Sequence, residues 1–257
     1  MLQLENLNKQ FGGLVAVNNC SFTIEERSIT GLIGPNGAGK TTTFNVIAGA
    51  LTPDSGAVFF KGNDITGRPA HQLFHLGIMR TFQIPQEFAA MSVLENLMTV
   101  PSDQPGENLF HALVSPGKVN AKETEVRERA LDTLNFLRLA HLTDELAGNL
   151  SGGQKKLLEL GRAMMADPDI ILLDEPGAGV NPTLLADLAD MIERLNQERQ
   201  FTFCIIEHNM DMIARLCDPV IVMVEGSVLT QGSMDAIRSD PRVLDAYLGG
   251  DIEPGSG

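Results

Sequence analysis

The stretch Ile29–Ile33 followed by Gly34-Pro35-Asn36-Gly37-Ala38-Gly39-Lys40-Thr41 decides the fold class of this chain. Ile29–Ile33 is a short apolar run of the kind that forms a buried strand. Thr42–Ala50 carries Phe44, Val46 and Ile47 at helical spacing. Between them, Gly34-x₄-Gly39-Lys40-Thr41 sits in the strand–turn–helix context that a phosphate-binding loop requires. Backbone N–H groups converge there at a helix N-terminus, and the missing Cβ atoms allow an anion to come close. In such a loop the lysine, Lys40, reaches the β and γ oxygens and Thr41 ligates Mg²⁺. A chance match to this spacing is on the order of one in a hundred before the context is counted.

Working outward, short strand-like segments alternate with longer amphipathic ones. Leu14–Ile24 suggests strands, and Pro53-Asp54-Ser55-Gly56 is a turn leading into a strand over Ala57–Lys61. After Phe82 the pattern becomes helical. Ser92-Val93-Leu94-Glu95 is a capping box. Residues 101–120 form a long irregular excursion, and Asn120 is expected to cap a charged helix that runs to about Leu137. That helix presents Val126, Ala130, Leu134 and Leu137 on one face. A second helix follows Leu150-Ser151-Gly152-Gly153-Gln154 and ends at Asp167-Pro168. Strands then return at Ile170–Leu173, Phe203–Ile206 and Val220–Val224, with a helix over Leu184–Leu195 between the first two. The expected organisation is an α/β core over 1–83 and 161–248, an inserted helical block over 84–160, and a flexible tail over 249–257.

Composition narrows the function classes. At 257 residues, 20% charged and 43% hydrophobic, the chain is an ordinary globular protein with enough length for a large core. A formal charge of −14 argues against a nucleic-acid partner and against adsorption to anionic lipid. No apolar run approaches the roughly 18–20 residues that span a bilayer. Met1-Leu2-Gln3-Leu4-Glu5 lacks the features of a secretion signal. Cys20, Cys204 and Cys217 are odd in number and widely spaced, and read as buried thiols of a reducing, cytosolic compartment.

Several other residues carry chemistry. Ile170-Ile171-Leu172-Leu173-Asp174-Glu175 is a buried strand with an acidic pair at its carboxyl end, where open α/β sheets place their ligands. Asp174 suits Mg²⁺ and Glu175 suits an attacking water. Asn181-Pro182 fits an N-cap and first helical residue. His208 follows a strand end, and Gln83 closes Arg80-Thr81-Phe82-Gln83. Phe11 can stack on a purine or belong to the core. The Ser151-Gly152-Gly153 turn is a second anion-binding turn in a chain with a single acidic strand-end pair, so it reads as half of a site completed by another protomer. A guanine-binding Asn-Lys-x-Asp is missing, since Asn8-Lys9-Gln10-Phe11 breaks at the last position.

In order and spacing these pieces resemble the nucleotide-binding subunits of ABC transporters, from about Leu2 to Leu248, with Leu150–Gln154 matching the family signature letter for letter. The resemblance implies a P-loop NTPase, RecA-like core with an antiparallel β subdomain and an inserted α-helical subdomain. It implies that Phe11 stacks on adenine. Gly34, Pro35, Asn36, Gly37, Ala38, Gly39, Lys40 and Thr41 form the Walker A loop, with Thr42 beside it. Gln83 is then the Q-loop glutamine, Asp174 the Walker B aspartate, Glu175 the catalytic glutamate, Gly177–Pro182 the D-loop and His208 the switch histidine. Thr41, Gln83 and Asp174 would serve the metal. Ser151, Gly152, Gly153 and Gln154 would hold ATP across a head-to-tail dimer. The implied activity is ATP hydrolysis with Mg²⁺, driving transport through integral-membrane permease subunits on the cytoplasmic face of the inner membrane. The implied partners are a second ATPase subunit, those permeases and, indirectly, a solute-binding protein. Gly77–Gln83, Glu207-His208-Asn209-Met210 and Asp245-Ala246-Tyr247-Leu248-Gly249 resemble the branched-chain or neutral amino-acid importer branch, a pattern shared in part by urea-type importers and the lipopolysaccharide exporter. Departures are Asn181 for the commoner Asp, Phe11 for Tyr, Asn209 for Asp, and Lys155-Lys156 after the signature.

Overall fold

The computed structural model describes residues 1–80, 87–101 and 116–248. Gln83, most of the 101–120 excursion and the tail over 249–257 lie outside the described residues. The chain divides into two compact units, residues 1–83 with 169–257, and residues 84–168.

In the first unit, β3 (Ile29–Ile33), β7 (Ile170–Asp174) and β8 (Thr202–Ile206) are buried at every residue. That is the signature of strands covered on both faces, and it accounts for their largely apolar sequences, in which Thr30, Asp174 and Thr202 are the buried polar residues. They lie in a six-stranded sheet ordered β10-β9-β3-β8-β7-β6, with β6 at Ile78–Arg80, β9 at Val220–Val224 and β10 at Ser227–Gly232. All pairings are parallel except β9–β10. A second sheet, ordered β2-β1-β4-β5, is antiparallel throughout and is built from β1 (Leu2–Phe11), β2 (Leu14–Ile24), β4 (Ser55–Phe60) and β5 (Asn63–Asp64). Its strands alternate buried and exposed positions because only one face is covered. Leu4, Phe22 and Val58 from this sheet share one core with Leu32, Leu172 and Ile206 from the larger sheet and with Phe44 and Ile47 from helix α1 (Lys40–Ile47). Truncating a buried ring such as Phe44 costs about 3–5 kcal/mol, a large share of a domain's stability. The α/β, P-loop NTPase fold is therefore present, with the antiparallel β sheet that accompanies it.

Helix α2 (Ala70–His75) belongs to the first unit, and the second unit contains helices α3 (Val93–Met98), α4 (Pro116–Phe136) and α5 (Gly152–Met165). The capping box at Ser92 is formed: Glu95 N–H donates to the Ser92 hydroxyl at 3.1 Å and Ser92 N–H donates to the Glu95 carboxylate at 2.7 Å. Val126, Ala130, Leu134 and Leu137 are buried together on one face. Asn120 does not cap α4, because the helix begins at Pro116 and its first turn includes residues read from sequence as irregular. Pro is favoured at the start of a helix, where its missing N–H costs nothing, and the Asn120 carbonyl instead accepts the Thr124 hydroxyl at 2.9 Å. The unit runs through Pro168, past residue 160, because α5 continues unbroken to Met165.

At the carboxyl end of the large sheet, Arg80 on β6 reaches across to Asp174 on the adjacent β7, Nη2 to Oδ2 at 2.7 Å, and its Nη1 donates to Asn45 Oδ1. Asp174 is fully buried while Arg80 retains some exposure. A buried carboxylate is tolerated only when paired. Arg80→Met is expected to lower the unfolding free energy by about 3 kcal/mol, read as a shift in urea midpoint. Adding Asp174→Asn should recover most of the loss, because the cost lies in the unpaired charge.

Candidate functional site

The phosphate loop is shaped by two glycines that nothing else can replace. Gly34 has φ 149° and Gly39 φ 94°, and a Cβ at either would collide with a backbone carbonyl oxygen, that of Met223 or of Ala16. The loop is thus pressed against the ends of β9 and β2. Lys40 opens helix α1 and is 6% exposed, its Nζ donating to the carbonyl oxygens of Gly34 at 2.7 Å and Pro35 at 2.9 Å. Burial lowers the Lys40 pKa, while the charges of Glu175 and Asp174 oppose that shift. An ammonium held by two loop carbonyls keeps one further N–H for an anion.

Phe11, Leu14, Val15, Ala16, Asn36–Thr42, Glu175 and His208 line one cleft of about 340 Å³. Phe11 is the last residue of β1 and is 46% exposed, so the core alternative for its ring is excluded. It offers an aromatic face at the rim, with Lys9 Nζ 5.5 Å from the ring centroid. The exposed Leu14 and Val15, just after the turn, extend that apolar wall.

Glu175 follows β7 directly and adopts φ 50°, an uncommon conformation for a non-glycine residue and one that concentrates at functional sites. Its N–H is fixed on the Ile206 carbonyl at 2.9 Å, and its Oε1 lies 3.0 Å from His208 Nε2. The acid and the imidazole predicted from two separate strand ends therefore meet, because β7 and β8 pair with Asp174 opposite Ile206. Asp174 Oδ2 is taken by Arg80, whereas Oδ1 is buried with no hydrogen-bond partner. A carboxylate oxygen desolvated in this way calls for a cation or a polarised water. Thr41 lies at the exposed start of α1. Thr41 and Asp174 carry hard oxygen donors of the kind that could hold a divalent cation such as Mg²⁺.

In the second unit, Ser151 caps α5 through a reciprocal box. Gln154 N–H lies 3.4 Å from the Ser151 hydroxyl, and Ser151 N–H donates to Gln154 Oε1 at 2.9 Å. Ser151 and Gly152 are exposed, leaving the helix's first amides accessible to an anion. Lys155, one of the departures noted above, holds Glu87 at 2.6 Å. Burial raises the Glu87 pKa, but the hydrogen bond and charge of Lys155 outweigh it and the net shift is downward. Asn181 caps the helix Pro182–Arg199 by accepting Leu184 N–H at 3.0 Å, a capping role open to Asn and Asp alike.

Two residues at the site escaped the reading of the sequence. Arg80 was visible as a charge ending a short apolar stretch, which signals a need for a partner, but no local pattern named Asp174. Glu207 is buried beside His208, and the only sequence hint was an acid at the end of an apolar strand. Gln83 lies outside the described residues.

Comparison with known proteins places this geometry. The family model described as "ABC transporter" matches residues 17–178, and one described as "Branched-chain amino acid ATP-binding cassette transporter" matches residues 227–253. The chain is 45% identical over 249 residues to the probable branched-chain amino acid transport ATP-binding protein LivG of Archaeoglobus fulgidus, covering 97% of this chain and 95% of the relative. It is 36% identical over 249 residues to the high-affinity branched-chain amino acid transport ATP-binding protein LivG of Escherichia coli K12, covering 97% and 98%. A solved ATP-binding cassette of an ABC transporter in its ADP conformation superposes with a TM-score of 0.82 at 39% identity, covering 97% of this chain and 98% of that one. With a Walker-type loop, an acidic strand end and a histidine gathered in one cleft, and with relatives that match over nearly their full length, this chain belongs to the ABC transporter family as one of its ATP-binding proteins.

Proposed function

We propose that the chain is an ATPase: it binds ATP with Mg²⁺ in the cleft and hydrolyses the γ-phosphate bond. The observation that carries this reading is the convergence of Lys40, Thr41, Glu175 and His208 on one cleft. Phe11 would stack on the adenine ring and the amides of Gly34–Thr41 would cradle the phosphates. Lys40 would exchange a loop carbonyl for a phosphate oxygen as negative charge arrives. Thr41 and Asp174 would hold Mg²⁺, aided by Gln83; the ion supplies charge neutralisation of the phosphates when bound. Glu175 would orient and polarise the attacking water as general base, with His208 holding its carboxylate in place.

The second anion-binding turn supports a two-chain unit. Ser151, Gly152, Gly153 and Gln154 would complete the nucleotide site of a second ATPase subunit, so that two chains close on shared ATP. The names of the relatives and the family model over residues 227–253 support a further step: the ATPase powers uptake of branched-chain or neutral amino acids. No helix among the described residues is long and apolar enough to cross a membrane, so transport would need separate permease subunits, with the chain docked on their cytoplasmic face and a solute-binding protein delivering the cargo.

Glu175→Gln, which keeps the side-chain shape and removes the base, is expected to lower kcat for ATP by about 10²–10⁴-fold while the Kd for ATP-Mg²⁺ stays unchanged. Turnover at the wild-type rate would remove Glu175 from the mechanism. Ser151→Ala should reduce turnover under conditions that favour the dimer and leave nucleotide affinity of the dilute monomer as it was. A loss of monomer affinity would mean instead that the turn serves its own chain's nucleotide.

A further inference from the structure

Beyond the last rung joining β7 and β8, the two chains separate into the loops 176–181 and 207–209, and backbone amides there have no strand partner. Glu207 takes up three of them, those of Gly177, His208 and Asn209. It is 5% exposed, one residue past the end of β8. Its Oε1 accepts Gly177 N–H at 2.5 Å, and its Oε2 accepts the N–H groups of His208 at 2.9 Å and Asn209 at 3.2 Å. One carboxylate therefore ties both loops together through charge-assisted bonds, roughly twice as strong as neutral ones.

The fit at residue 177 is close. A Cβ there would stand 2.6 Å from Glu207 Oε1 and 2.6 Å from Leu185 Cδ1, so a larger residue at 177 has to push the carboxylate or the leucine aside. The same loop is bound to Glu175, whose carbonyl accepts Ala178 N–H at 3.0 Å, and Glu175 in turn contacts His208. The 176–181 loop, Glu175, His208 and Glu207 thus form a closed circuit.

We infer that Glu207 is a positioning residue that locks the 176–181 loop to the His208 turn and so presents the Glu175–His208 pair as one rigid unit. The inference rests on the reading of Glu175 and His208 as hydrolytic residues. Glu207 acts through them.

The test uses the full chain. Glu207→Ala lowers kcat for ATP by roughly 10- to 100-fold with KM for ATP held within about twofold. Glu207→Gln keeps one acceptor but turns an amide N–H toward the remaining donors, and falls between; it also serves if the alanine variant fails to fold. Gly177→Ala lowers kcat similarly, and the double variant loses much less than the product of the single losses, because both break one contact. Hydrogen exchange gives a reading independent of turnover: the amides of Gly177, His208 and Asn209 lose protection together in Glu207→Ala while those of β7 and β8 keep theirs. Independent losses in the double variant, a rise in KM with kcat unchanged, or unaltered protection would each overturn the inference. If Glu175→Gln is inactive and Glu207→Ala turns over normally, the positioning role alone fails. If Glu175→Gln turns over normally, the hydrolytic assignment fails first.

Discussion

Parallel hydrogen bonding among β3, β8 and β7 is the constraint on which the rest of the first unit depends. Every residue of these five-residue strands is buried, so each backbone group must be satisfied within the sheet. The register then aligns Leu32 with Ile206 and Ile206 with Asp174. Three loops leave the sheet at adjacent points on one edge: the phosphate loop, the Glu175 turn and the Glu207-His208 turn. Ligand sites of open α/β sheets lie outside the carboxyl ends of the strands for this reason.

That edge concentrates acidic groups, and their differing partners keep them compatible. Asp174 is held by the guanidinium of Arg80, Glu175 by the imidazole of His208, and Glu207 by backbone amides. Each of the three carboxylates thus has donors of its own. Lys40 is the cation that faces Asp174 and Glu175 across the cleft, and its burial outweighs their attraction. An ammonium whose charge is costly where it sits gains most when a polyanion arrives.

Much of this was legible in the amino-acid order. The strand Ile29–Ile33 and the helix after Gly39 follow from apolar runs and the Gly-x₄-Gly-Lys-Thr spacing. The Ser92 capping box and the Asn181-Pro182 helix start follow from rules that act over three or four residues. The sequence around Phe11 allows either stacking or a core position, and its exposure at the cleft rim excludes the core. The Asn120 cap failed because the same kind of polar residue also stands inside helices, and Pro116 four residues earlier was the stronger start signal.

Local order alone specifies most of the strands and helices, the helix starts at Ser92 and Asn181-Pro182, and which residue types are available for phosphate and metal chemistry, because periodicity, capping and glycine geometry are local. Only the tertiary structure decided who meets whom. Arg80 and Asp174 stand 94 positions apart, and Glu207 lies 30 from Gly177; both contacts exist because the strand order β8-β7-β6 makes distant segments neighbours. Strand order is set by how buried faces of the whole chain pack, which no window of a few residues contains.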